Sequence, residues 1–115
     1  MRILMVASEA VPFAKTGGLG DAVTGLSTAL AQTGKEIRLV LPLYSDHPPA
    51  DFTVCLSQYP FHIEGRSFLL SVYRGVRRGV GVYLIQQNNL YARNAIYAEN
   101  GVEYPDNLFR FALLC

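Results

Sequence analysis

Residues 3–41 hold the feature that most restricts the fold: an aliphatic run, a stretch of helical periodicity and a second aliphatic run in immediate succession. Ile3-Leu4-Met5-Val6-Ala7 does not alternate apolar with polar, which is how a strand covered on both faces of a parallel sheet reads. Ala22, Val23, Leu26, Ala29 and Leu30 recur at helical spacing over residues 21–33, and Gly34 supplies a left-handed stop. Ile37-Arg38-Leu39-Val40-Leu41 is the second strand, closed by Pro42. Such a βαβ unit predicts an α/β fold with a Rossmann-like parallel sheet.

The middle of the chain changes character. Phe52–Tyr59, Phe68–Tyr73 and Val80–Ile85 are β-branched and aromatic runs between Gly- and Arg-containing turns, which predicts a β-hairpin or meander inserted beside the parallel sheet. Residues 86–105 form a polar loop rich in Asn, Tyr and Arg, and loops of that length serve binding more often than not. A last helix is expected from Pro105-Asp106, with Asp106 as N-cap and Leu108, Phe111, Ala112 and Cys115 on one apolar face. That face needs something to pack on, so residues 1–115 read as the N-terminal piece of a longer protein.

Charge narrows the partners. Ten Lys and Arg against nine Asp and Glu leave a formal charge of +1. Nucleic acid and anionic membranes call for a surplus of cations, so neither is expected as a partner. Half of the residues are hydrophobic and 17% charged, as suits buried strands better than a solvated bundle. No run approaches the ~20 apolar residues of a membrane span, and no targeting segment is read at the N-terminus. A cytoplasmic protein is expected. Cys55 and Cys115 fit neither a disulfide framework nor a zinc spacing, and His47 and His62 stand apart from any ligand cluster, so no metal is expected.

Chemistry concentrates in Lys15-Thr16-Gly17-Gly18-Leu19-Gly20-Asp21, between the first strand and the first helix. The first N–H groups of a helix lack internal partners and its dipole places about half a positive charge there, so anions bind at such points. Glycines at 17, 18 and 20 remove Cβ atoms that would hold a phosphate or sugar away, and Lys15 adds a full charge. A phosphorylated or nucleotide-linked ligand follows. The G-x-G-x-x-G/A dinucleotide fingerprint fails at Val23 and no acidic residue closes the second strand; no Gly-Lys-Ser/Thr completes a phosphate loop either. Other readings stay open here. Lys15 could be a solvated loop residue, Asp21 an N-cap, and the glycines a means of tight packing. Arg74, Arg77 and Arg78 read as a solvated hairpin tip. Tyr91, Arg93 and Tyr97 either stack on sugars or tuck against the domain.

The order Ser8-Glu9, then Pro12-Phe13-Ala14-Lys15-Thr16-Gly17-Gly18-Leu19-Gly20-Asp21, resembles the N-terminal signature of bacterial glycogen synthases and plant starch synthases. The similarity continues through Val40-Leu41-Pro42 with Tyr44, Val82-Tyr83-Leu84-Ile85, Leu90-Tyr91 with Arg93, Ile96-Tyr97, Tyr104-Pro105-Asp106-Asn107 and Arg110-Phe111-Ala112. It departs at Ala22, where the family often has Val. The resemblance implies the first part of the N-terminal domain of a two-domain GT-B glycosyltransferase, with the rest of that domain and the C-terminal domain outside these residues. It implies glucosyl transfer from ADP-glucose to the non-reducing end of an α-1,4-glucan (glycogen or starch), with retention and without metal ion or other cofactor. Lys15, Thr16, Gly17 and Gly18 would bind the donor, and Asp21 and Tyr97 would lie near its sugar. The fragment alone is expected to be inactive. A non-catalytic glucan- or nucleotide-binding module of the same fold is the alternative, and a nicotinamide- or flavin-dependent oxidoreductase a third.

Overall fold

The computed structural model describes residues 1–115. The elements run β1 (Arg2–Val6), α1 (Gly18–Gln32), β2 (Glu36–Pro42), β3 (Thr53–Ile63), β4 (Arg66–Arg77), β5 (Val80–Gln86), α2 (Asn88–Tyr91), β6 (Ala98–Glu99), β7 (Val102–Glu103) and α3 (Asn107–Leu114). One five-stranded sheet is ordered β1-β2-β5-β4-β3. β1, β2 and β5 are parallel, with Ile3 beside Ile37 and Leu39 beside Val82, whereas β3 and β4 are antiparallel. The α/β fold and its inserted hairpin are therefore observed. The hairpin does not stand beside the sheet; it extends it, because β5 is at once the third parallel strand and the partner of β4.

Helix α1 covers one face. Val23 packs with Ile37, Leu39, Leu41, Val80, Val82 and Leu84 in the main core, joined by Ile3, Met5 and Leu30. Alternate residues of β1 point the other way, and there Leu4 is 65% exposed, with Val6 also exposed. Within residues 1–115 β1 stands at the end of the sheet and α1 covers one of its faces. The helix itself starts one turn before the expected 21, and its buried residues are Gly20, Val23 and Ser27. Leu26 faces outward, as do Ala22 and Ala29. Gly20 packs against the preceding loop at Ala14 and Lys15, and the small Ser27 is buried, signals that apolar spacing does not register. Gly34, at φ +83°, ends the helix as expected, donating to the Ala31 carbonyl.

A second cluster lies under the hairpin. Leu90, Tyr91 and Leu113 pack with Tyr44, Phe61, Phe68, Ile85 and Phe109. The pairing Ser71 to Gln86 ends β5, yet β4 begins at Arg66, so the β3–β4 tip projects past the carboxyl ends of the parallel strands and supports α3 there. The Phe68 and Phe109 rings are 5.5 Å apart. Two expectations change in this region. Residues 86–105 are not one loop but contain α2 and the small β6–β7 hairpin. Only Arg78 sits at a tip; Arg77 pairs with both carboxylate oxygens of Asp51, at 2.7 and 2.9 Å, and lies over the Phe52 and Phe13 rings. Helix α3 turns Arg110, Leu113 and Leu114 inward, and its other face, with Leu108, Ala112 and Cys115, is the exposed one for which a packing partner is expected.

Phe52 also explains one glycine. A Cβ added at Gly75 would stand 2.2 Å from the Phe52 ring. Gly75→Ala should therefore lower stability by about 1–3 kcal/mol through overpacking, read as a lower midpoint in urea unfolding; an unchanged midpoint would mean that Phe52 has room to move.

Candidate donor-binding site

The carboxyl ends of parallel strands are where α/β sheets bind ligands, and three segments converge there. The segment after β1 runs from Ala7 to Gly17, the segment after β2 begins at Leu43 and Tyr44, and the stretch after β5 returns through Tyr97. Tyr44 donates its hydroxyl hydrogen to the Ser8 carbonyl at 2.6 Å, tying the first two together. Burial drives its pKa strongly upward, so it remains a neutral donor. Tyr97 donates to Glu9 Oε2 at 2.6 Å, and its oxygen lies 2.6 Å from Ser8 Oγ. Burial first, and then the Glu9 carboxylate, push the Tyr97 pKa up to about 12.

Glu9 holds the loop. Its Oε1 accepts the Thr16 N–H at 2.5 Å and its Oε2 the Thr16 hydroxyl at 3.0 Å. Burial would raise its pKa, but the hydrogen bonds from Tyr97 and Thr16 together outweigh it and keep the carboxyl below its ordinary value.

Helix α1 follows at once. Gly17 is its N-cap, so no side chain caps the first turn. A Cβ on Gly17 or Gly18 would meet nothing within 4 Å, and neither has a positive φ. Packing and backbone conformation thus explain neither glycine. Gly20 differs, because its Cβ would lie 3.2 Å from the Ala14 carbonyl oxygen and 3.4 Å from the Lys15 side chain. Of the three glycines, one serves close packing and two leave open surface beside uncapped amides. Lys15 Nζ is 2.8 Å from Asp21 Oδ2, both side chains being more than half exposed. Asp21 sits inside the first turn and is not the N-cap.

The sequence reading is thus sorted by geometry. Lys15, Thr16, Gly17, Gly18 and Asp21 lie together at the start of α1, and Tyr97 joins them through Glu9 and Thr16. Tyr91 is fully buried and donates to the Arg110 carbonyl, so it is tucked into the domain. Arg93 is held in a two-pronged pair with Asp106 at 2.7 and 2.5 Å, which occupies the side chain that was expected to cap α3. His47 and His62 are exposed, and no group of three or more His, Cys, Asp or Glu side chains is placed to hold a metal ion. No helix is long and apolar enough to cross a membrane. Glu9 itself was missed as a functional residue. Its sequence signals are its place in the Ser8-Glu9 pair of the family-like order and its position two residues after a buried-type strand, just where a parallel strand hands over to its ligand loop.

The model of the starch synthase catalytic domain matches residues 2–115. The chain belongs to the starch synthase catalytic domain family. Its relatives include a glycogen synthase of Geotalea uraniireducens, 35% identical over all of this chain and 24% of that protein. Glycogen synthase 1 of Geobacter sulfurreducens is 40% identical over 99% of this chain and 24% of its own length. Among solved structures, the catalytic domain of starch synthase IV from Arabidopsis thaliana, bound to ADP and acarbose, superposes with a TM-score of 0.77 at 26% identity. That alignment covers 96% of this chain and 23% of the other. The chain thus spans about a quarter of the length of the starch synthase family proteins it matches.

Proposed function

We propose that the protein carrying these residues is a glycogen or starch synthase, which transfers glucose from ADP-glucose to the non-reducing end of an α-1,4-glucan with retention of configuration. Residues 1–115 supply the first part of its N-terminal domain, and the activity belongs to the whole protein in the cytoplasm. The observation that carries this reading is the pair Gly17 and Gly18, whose missing side chains serve neither packing nor backbone conformation and face open space beside Lys15.

Each group has a stated part. Negative charge grows on the departing diphosphate as the glycosidic bond breaks, and preorganised N–H donors and a cation stabilise it best where water is excluded. The amides of Gly17 and Gly18 supply the donors and Lys15 the cation. Tyr97 and Asp21 flank the sugar end, while Thr16 fixes the loop. Support comes from family membership and from the starch synthase IV structure, whose ligands are ADP and acarbose.

Transfer of labelled glucose from ADP-glucose to glycogen by the full-length protein tests the reading directly. Incorporation into α-1,4 linkages is expected; nucleotide or glucan binding without turnover would favour a non-catalytic module instead. Gly18→Val should weaken ADP-glucose binding by about tenfold, on the order of 1.4 kcal/mol, with the unfolding midpoint preserved because the new side chain enters open space. Wild-type affinity in that variant would remove the loop from the donor site.

A further inference from the structure

We propose that Glu9 is a positioning residue that fastens the glycine loop and Tyr97 into one rigid unit. The inference rests on the donor site proposed above, and it concerns a residue whose contacts are with the loop and with Tyr97.

Three observations carry it. Glu9 is only 3% exposed, and none of the five ion pairs includes it. A buried carboxylate without a cation is costly, and an apolar side chain of similar size would fill the place at less expense. What the charge provides is reach: it gathers donors from Thr16, seven residues on, and from Tyr97, eighty-eight residues on. Those contacts sit directly before Gly17 and Gly18. Two adjacent glycines without packing partners leave the backbone unusually free, and that freedom must be lost when a ligand is held. Glu9 anchors the loop on one side and α1 on the other, so the donor amides are ordered before the ligand arrives. The shared oxygen Oε2 also makes the loop and the Tyr97 segment respond together. Thr16 is the link in this arrangement, because its N–H and its hydroxyl both go to Glu9.

The test uses the full-length protein with Glu9→Gln, which keeps the shape and removes the charge, and Tyr97→Phe. In Glu9→Gln the hydrogen exchange of the Thr16 amide is expected to accelerate about tenfold, since charge-assisted hydrogen bonds are roughly twice as strong as neutral ones. Amides of β2 and β5 should keep their protection. The KM for ADP-glucose should rise about fivefold with kcat within about twofold and the glucan KM unchanged, because looser positioning weakens donor binding before it affects the chemical step. Adding Tyr97→Phe to Glu9→Gln should accelerate loop exchange less than it does in the wild type, as coupled residues require. Unchanged exchange at the Thr16 amide would overturn the proposal. So would protection lost equally across the sheet, which would assign Glu9 to folding alone. Faster loop exchange in a protein whose wild type transfers no glucose from ADP-glucose would support the clamp and overturn the reaction.

Discussion

Replacing Lys15 with alanine in the full-length protein is expected to lower kcat/KM for ADP-glucose at least about tenfold, on the order of 1.4 kcal/mol of lost transition-state stabilisation. The ammonium is positioned beside the uncapped start of α1 by Asp21, 2.8 Å away. An exposed pair of that kind contributes roughly 0–1 kcal/mol, so the lysine can exchange the carboxylate for a diphosphate at little cost. The loss should appear mainly in kcat, because charge on the leaving diphosphate grows after the donor has bound. Lys15→Arg should recover part of the rate, since the charge persists while its geometry changes. Steady-state transfer of labelled glucose measures all three proteins, and an unchanged kcat/KM in Lys15→Ala would place the lysine outside the site.

Arg110→Ala should have the largest effect on stability. The guanidinium is fully buried and donates to the Leu90 and Ile96 carbonyls and to Asn107 Oδ1. It also lies over the Tyr104 and Phe111 rings. Burial, and then the Arg93 charge, depress its pKa, so the cation is itself costly to keep inside. Its removal nevertheless leaves three acceptors without a partner, at about 1–3 kcal/mol for each one that water does not reach, and a side-chain-sized cavity. The net loss is expected to be about 3 kcal/mol, a large share of the roughly 5–15 kcal/mol that holds a domain together. A fall of more than about 5 °C in the unfolding midpoint of the full-length protein follows. A shift of under about 3 °C would show that α3 finds other partners.

These residues also mark how far the amino-acid order could be read. The βαβ unit was legible because aliphatic runs and a glycine stop are local signals. The glycine loop was legible because a parallel strand followed by a helix leaves amides free wherever the chain is built so. Burial of charge was not legible. Glu9 and Arg110 look like surface residues until the segments that donate to them or accept from them are folded into place, and those partners are far apart in sequence. The same blindness misplaced part of the buried face of α1, which buries Ser27 and turns Leu26 outward, because a periodicity of apolar residues does not count a serine.

One strand has a wider consequence. β5 is paired with β2 on one side and with β4 on the other, so the register of the hairpin is set against the same strand that carries the parallel core. A slip of one position between β4 and β5 would turn Phe68 and its neighbours to the opposite face. Phe109 would lose its footing, and the segment that brings Tyr97 to Glu9 would drift with it. Hairpin alignment is in that sense a remote adjustment screw for the proposed site, and sequence drift that leaves every residue of the glycine loop intact would still shift it through the seam between two strands.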